Sequence, residues 1–477
     1  MTINRQIFNV FLCVLLLHIC LDFGEHFIFS LADIEQVNSA SQSASAAETL
    51  EVNHLTSDTI YDEELYVKLP STFRSKTVNM RDFKMENSTS IEDLRDQLAY
   101  EFPYNADISI PRSVWQTWKH SEHHELFPEY YKLLVEYWKN KTDHYSLITD
   151  QQLIPLLEDI YSNVPLVLEA IRAMPVTILK IDFFRYLILY AKGGIYSDLD
   201  TLPLKPLEHW VSVNQTKLNN LYQVSNRTNE PLTYQKLKNS NLPKMRKQGP
   251  GIVIGIEADP DRVDWQDWYA RRVQFCQWTI QAKPGHPMLR ELILNITATT
   301  LNSVYETNGK FSSFLVGPTI DYDIVGRSSH PILINDSISH LKTRSNVDGT
   351  DIMNWTGPGI FTDLVFEYFN NLLSKNDDVL LLNRNIEPSN TTQPNYKFYD
   401  HIYRNLNYRN IIPWEFFSLI TKPVIIDDVM VLPITSFSPE VNQMGSKSRE
   451  DPMAYVLHLF RGTWKQKADE NKLNKTS

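Results

Sequence analysis

Residues 177–200 read TILKIDFFRYLILYAKGGIYSDLD, and the order of elements in this stretch decides the fold class. Residues 177–192 are apolar on nearly every side, which suits a helix buried on most faces. Gly193 and Gly194 then supply a C-terminal stop, because glycine enters the left-handed region without a steric penalty. IYSDLD, residues 195–200, reads as a strand. Helix, glycine turn and strand form the second half of a βαβ unit, with Asp198 and Asp200 at the strand's carboxyl end. Ligands settle there in open α/β sheets.

The surrounding chain repeats this alternation. IPRSVWQTW (110–118) reads as a strand with its exit loop. LFPEYYKLLVEYWKN (126–140) reads as a helix with Leu126, Tyr130, Leu133, Leu134 and Trp138 on its apolar face. DHYSLITD (143–150) predicts a second strand, with Asp150 as N-cap of a helix reaching Leu157. A further helix covers 165–174. GIVIGIEA (251–258) predicts a strand, residues 286–301 and 359–373 helices, and PVIIDDVMVLPI (423–434) one late buried strand. Residues 384–410, rich in Asn and Tyr, read as a surface excursion. Short apolar runs alternating with helical periods give an α/β domain.

Length and composition set the outer limits. The chain has 477 residues, 42% hydrophobic and 12% aromatic, enough for a large core. Its net charge is -11 and no basic stripe appears, which argues against nucleic acid as partner. Of three cysteines, Cys13 and Cys20 lie in the N-terminal apolar run, so Cys276 stands alone in the remainder. Sequons start at Asn87, Asn140, Asn214, Asn226, Asn295, Asn335, Asn354, Asn390 and Asn474, against about four that chance would give. This excess favours a lumenal location.

At the N-terminus, residues 1–6 read as a short cytoplasmic tail and 7–32 as a signal-anchor segment. Arg5 before the apolar run and Asp22 and Glu25 after it orient the anchor as type II. A cleaved signal peptide ending at Ser30-Leu31-Ala32 is the alternative. Residues 33–90, small, polar and acidic, form a stem. Residues 91–465 are the lumenal domain, and 466–477 a loose polar tail.

Closely spaced carboxylates suit a hard divalent cation that neutralises a diphosphate leaving group. Three D-x-D triplets occur: Asp198/Asp200, Asp259/Asp261 and Asp321/Asp323. About two would arise by chance, so context must choose. The first pair follows helix, turn and strand; Pro260 marks the second as a turn; the third has no such lead-in. Asp182 and Arg185 stand i, i+3 on the apolar helix, where unpaired charges are costly. They pair with each other and are placed to hold sugar hydroxyls. Lys180, on nearly the opposite side, snorkels. In HLFRGTWK (458–465), His458 is a candidate third metal ligand and Trp464 a platform or hydrogen-bond donor. Trp115 and Trp118 read as core, with Gln116 between them free to contact a base edge or ribose. Tyr196 completes the donor-binding set.

IPRSVWQTW, then DFFR (182–185), then GGIYSDLD, then HLFRGTW, in that order, resemble glycosyltransferase family 32. LRDQLAYEFPY (94–104), residues 256–300, residues 347–368 and VIIDDVMVLPITSFSPEV (424–441) resemble mannosyltransferases of that family. The match runs from about residue 92 to 465. The resemblance implies a GT-A-like (Rossmann-like) domain with a central mixed, mostly parallel sheet behind the anchor and stem. It implies GDP-mannose as donor, Mn2+ as cofactor, a Golgi membrane location and transfer of one α-1,6-linked mannose onto the high-mannose N-glycan of glycoproteins. Position by position, Asp198 and Asp200 match the metal and diphosphate motif and Asp182 and Arg185 the donor-sugar pair. His458 and Trp464 match the C-terminal motif.

The resulting assignment takes Asp182, Arg185 and Asp200 as catalytic. Gln116, Asp182, Arg185, Tyr196, Asp198 and Trp464 bind the donor, and Asp198, Asp200 and His458 the metal. An α-linked product from GDP-α-mannose retains configuration, and front-face attack, with the departing phosphate taking the acceptor proton, is the expected route. Alternatives are a related mannosyltransferase with another acceptor, a non-catalytic scaffold subunit, and a glycoside hydrolase, which would need two flanking carboxylates and no metal.

Overall fold

The structure is a computed structural model that describes residues 91–223, 232–233, 249–265, 268–305, 349–375, 379–384, 396–442 and 444–461. The expected anchor, stem and terminal tails, Trp464, Asp321/Asp323 and the sequons at Asn87, Asn226, Asn335, Asn390 and Asn474 lie outside the described residues. Among the described residues no helix is long and apolar enough to cross a membrane.

In chain order the elements are α1 (Ile91–Glu101), β1 (Ser113–Trp118), α2 (Glu129–Lys139), β2 (His144–Thr149), α3 (Asp150–Ile160), α4 (Pro165–Ala173), α5 (Thr177–Lys192) and β3 (Gly194–Ser197). Then come β4 (Thr201–Pro203), α6 (Gln215–Gln223), β5 (Leu232–Thr233), β6 (Ile252–Ala258), β7 (Gln274–Phe275), β8 (Thr279–Ala282) and α7 (Pro287–Tyr305). The chain closes with α8 (Gly349–Trp355), α9 (Pro358–Lys375), β9 (Leu380–Leu382), α10 (Tyr396–Arg404), β10 (Val424–Ile426), β11 (Val429–Leu432) and β12 (Val456–His458).

The main sheet runs β2-β1-β3-β8-β6-β11-β10-β9-β5, with β7 paired to β6. β1 is parallel to β2 and β3, and β6 to β11, while β8 is antiparallel to β3 and β6. Following the remaining antiparallel pairings, β1, β2, β3, β6, β9 and β11 share one direction and β5, β7, β8 and β10 oppose it. The sheet is therefore mixed, with most strands pointing one way, as the family resemblance implied. β4 and β12 form a separate antiparallel pair.

Side chains alternate across this sheet with the two-residue period of a strand. On β6, Ile252, Ile254 and Ile256 enter one core while Val253 enters another. On β11, Val429 and Val431 go to the first and Met430 and Leu432 to the second. With both faces covered, the edge left for a ligand is the carboxyl end of the parallel strands. The chain moves from β1 out to β2 and then back past β1 to β3, so the order reverses at the β1/β3 boundary. Such a switch point opens a crevice.

Two glycines make the entry into β3 possible. Gly193 has φ 67° and donates its N–H to Leu189 O at 2.9 Å. Gly194 has φ 100°, and a Cβ there would lie 2.5 Å from Ser113 O on β1. A side chain at either position would push the α5–β3 junction off the sheet.

Several expectations change. On α2 the buried face is Tyr131, Leu134, Val135 and Trp138, whereas Leu126 and Leu133 are 65% and 52% exposed. The helix starts behind Pro128, so Leu126 precedes it and the apolar stripe is shifted in phase. The N-cap of α3 is Thr149, not Asp150: Thr149 Oγ1 accepts from Gln152 N–H and Gln152 Oε1 accepts from Thr149 N–H, a capping box. PVIIDDVMVLPI is a hairpin rather than one strand, turned at Asp427 with φ 50°. The excursion at 384–410 contains α10, whose Ile402, with Leu406 beyond it, is fully buried. Asn295, only 5% exposed within α7, has no room for a glycan and is withdrawn as an attachment site.

Candidate metal and donor site

Asp198 and Asp200 follow β3 directly, and the loop that carries them is tied down through its backbone. Asp198 N–H donates to Trp278 O at 2.8 Å, while its carbonyl accepts from Gln116 Nε2 at 3.0 Å and from Thr201 Oγ1 at 2.5 Å. Asp200 O accepts from Leu459 N–H at 3.0 Å, just past β12. Because β12 pairs with β4, His458 stands opposite Thr201, and its ring stacks on Trp278 with centroids 4.3 Å apart. A distant C-terminal strand is thereby placed beside the acidic loop.

One ligand atom from each of Asp198, Asp200 and His458 lies within 4.8 Å of the other two. Two carboxylate oxygens and an imidazole nitrogen fit a divalent first-row metal. His458 Nε2 lies 3.3 Å from Asp200 Oδ1, and its Nδ1 accepts from Phe460 N–H at 3.2 Å. The neutral ring then carries its proton on Nε2. Ligation through Nε2 requires that proton to leave, so His458 is the ligand whose role depends on rearrangement at Phe460. Burial pushes the Asp200 carboxyl up, but the hydrogen bond from His458 and the Arg461 N–H outweigh it and hold Asp200 below its ordinary value. Burial raises Asp198, against the opposing charge of Arg185.

Behind the acidic loop, α5 presents Asp182 and Arg185, which are 3% and 2% exposed. Arg185 Nη2 lies 2.7 Å from Asp182 Oδ1 and 3.4 Å from Asp198 Oδ1, and its guanidinium covers the Tyr196 ring at 5.0 Å. Thr356 Oγ1 donates to Asp182 Oδ2 at 3.2 Å, and the Gln277 side chain also bonds this carboxylate. Burial, opposed by Arg185 and aided by Asp198, raises the Asp182 carboxyl to about 6. Arg185 Nε is buried with no hydrogen-bond partner among the described residues. A substrate oxygen would satisfy it.

The predicted set is brought together, apart from Trp464, but two members have other tasks. Gln116 is fully buried, and besides its bond to the Asp198 carbonyl it accepts from Tyr145 OH at 2.8 Å. It positions the acidic loop and is not free to read a base. Tyr196 is likewise fully buried, its hydroxyl 3.1 Å from Thr117 Oγ1, so it supports Arg185. Trp115 donates to Gly193 O at 3.0 Å and Trp118 packs on Tyr131, both structural as expected. Asp259, of the second D-x-D, accepts from Ser418 Oγ, Leu419 N–H and Arg272 and anchors a loop. Thr356, Gln277, Trp278 and Arg461 were not foreseen. Thr356, Gln277 and Trp278 carry no chemical motif, and Arg461 lies inside HLFRGTW between the two residues assigned there; the packing of α8, the β7–β8 turn and β12 brings all four here.

Residues 128–217 match the family described as a glycosyltransferase sugar-binding region containing a DXD motif. The span includes Asp182, Arg185, Asp198 and Asp200. The chain is 48% identical to the initiation-specific α-1,6-mannosyltransferase of Saccharomyces cerevisiae, over 84% of this chain and 88% of that one. Proteins of the same name in Candida albicans and Schizosaccharomyces pombe are 40% and 34% identical. Those similarities cover 84% and 85% of this chain and 83% and 75% of the relatives.

Proposed function

The chain belongs to the family of the initiation-specific α-1,6-mannosyltransferases, and we propose that it transfers mannose from GDP-mannose in α-1,6 linkage. The acceptor is the core high-mannose N-glycan of glycoproteins, and the transfer initiates the outer mannan chain. As a glycosyltransferase of the DXD class it uses a divalent metal, a nucleotide-sugar donor and a glycan acceptor; the metal is manganese. The enzyme works in the Golgi, with residues 7–32 as anchor and 91–465 in the lumen. Asn140, exposed at the end of α2, is the glycan site most open among the described residues.

The observation that carries this reading is the convergence of Asp198, Asp200 and His458 beside the buried Arg185–Asp182 pair. Asp198, Asp200 and His458 would hold the ion, which when bound supplies positive charge to the diphosphate leaving group. Arg185, 3.4 Å from Asp198 Oδ1, would offer its orphaned Nε–H to the donor. Asp182 orients a mannose hydroxyl. Its two carboxylate oxygens are already engaged by Arg185 and Thr356, which suits an orienting group better than a nucleophile. The acceptor oxygen therefore attacks the face from which the phosphate departs. The anomeric carbon exchanges its phosphate oxygen for the acceptor oxygen, the acceptor proton passes to the departing phosphate, and configuration is retained.

The test is to incubate the full chain, solubilised in detergent, with GDP-mannose, manganese and a high-mannose N-glycan and to map the product linkage. The expected product gains one α-1,6-linked mannose. Transfer from a different sugar nucleotide, with none from GDP-mannose, overturns the donor assignment.

A further inference from the structure

Immediately beyond the candidate metal site the backbone makes a turn that side chains resist. Phe460 has φ 48°, where a bulky residue is an outlier, and such strain concentrates at functional sites. The turn sets the Phe460 ring edge-on to His458 with centroids 4.2 Å apart. It also aims the next backbone N–H, that of Arg461, at Asp200 Oδ2, 3.1 Å away. The Arg461 side chain is exposed, and its guanidinium lies over the Tyr130 ring, 4.1 Å from the centroid. Its backbone is thus held at the acidic loop while its charged head rests at the rim.

Charge balance gives this arginine a task. Asp182, Asp198 and Asp200 carry three negative charges against one positive charge on Arg185, and a divalent ion brings that set to zero. The donor diphosphate then adds roughly two negative charges and gains another as its bond to the sugar breaks. That developing charge needs a further cation. A guanidinium matches phosphate in a bidentate fork with full opposite charge, a stronger contact than the cation–π contact and the hydrogen bond to a neutral hydroxyl that it makes with the half-buried Tyr130.

Resting on the reading of the chain as a nucleotide-sugar transferase, we propose that Arg461 is a further catalytic residue. Its guanidinium leaves Tyr130 for the donor diphosphate and stabilises the charge that develops on the leaving group. Every substitution at this position other than proline keeps the backbone N–H that holds Asp200, so the side chain can be tested separately from the loop.

The experiment compares the full chain with its Arg461→Ala and Arg461→Lys variants, each with manganese. Calorimetry gives affinities for GDP, GMP and inorganic pyrophosphate, and kcat is measured alongside. Arg461→Ala should weaken GDP and pyrophosphate roughly 10- to 100-fold, leave GMP within about twofold, and lower kcat; Arg461→Lys should recover part of the loss. Equal losses for GMP and GDP would mark a structural role and overturn the proposal, as would unchanged GDP affinity and kcat. If the wild type prefers another nucleoside diphosphate, the donor assignment fails by itself. The same comparison then runs with that nucleotide, and the pyrophosphate arm is unaffected by the base.

Discussion

Gln116 sits between two tryptophans, where an amide could read a base, yet both of its polar ends are already used, on the Asp198 carbonyl and the Tyr145 hydroxyl. Replacing it with alanine should therefore lower the transfer rate roughly 10- to 100-fold, as loss of a supporting contact behind a metal ligand does. Discrimination between GDP-mannose and a uridine donor should stay unchanged; a shift in that preference would restore the base-reading role. Asp200 differs from Gln116 in what faces it: His458 Nε2 and the Arg461 N–H are its partners, and one oxygen belongs to the three-ligand cluster. Asp200→Asn should cut transfer by at least about 100-fold while circular dichroism and the unfolding midpoint stay near wild type. Near-normal turnover would remove Asp200 from the site.

At the scale of elements, the α5–β3 junction depends on Gly194, whose φ of 100° and close approach to Ser113 O leave no space for a methyl group. Gly194→Ala should cost about 1–3 kcal/mol from conformation alone, with the clash added. Denaturant unfolding against wild type checks this, and a loss under about 0.5 kcal/mol would mean that the junction relaxes. The α3 capping box is a milder case: Thr149→Ala should cost about 1 kcal/mol by the same measurement. α5, its glycine stop and β3 were legible in the sequence because an all-round apolar helix and a glycine pair are local signals. The phase of α2 was not, since its apolar residues allow two stripes and packing against the β4 side selects Tyr131 over Leu133. Nor was the β10–β11 hairpin: Asp427 and Asp428 interrupt the apolar run, but this two-residue break lacks the glycine or asparagine that marks a tight hairpin turn.

For the whole molecule, three acidic groups, one arginine and one histidine from α5, the β3–β4 loop and β12 meet at a single edge, so metal and nucleotide should couple to global stability. Manganese with GDP at about 100 times its Kd should stabilise the fold by about 2.7 kcal/mol, seen as a raised unfolding midpoint. Chelation with EDTA should abolish both that shift and transfer, and manganese should restore them. A midpoint indifferent to the pair would argue against a ligand site built from the folded core.

By itself the sequence determined that the chain is an α/β protein with Asp198 and Asp200 at the end of a strand and Asp182 and Arg185 on the buried helix before it. Those relations lie within 24 consecutive residues and follow from helical and strand periods. Sequence context already favoured the first D-x-D over the second, and the tertiary structure supplied the physical reason: Asp259 has the same spacing but is taken up by Ser418, Leu419 and Arg272. Tertiary structure alone decided that Gln116 supports the loop and that Thr356, Gln277 and Arg461 join the site, and it brought His458, a candidate from the sequence, to 3.3 Å from Asp200. Those contacts join residues as many as 261 positions apart, and nothing in local periodicity records which strand edge a distant segment will pair with.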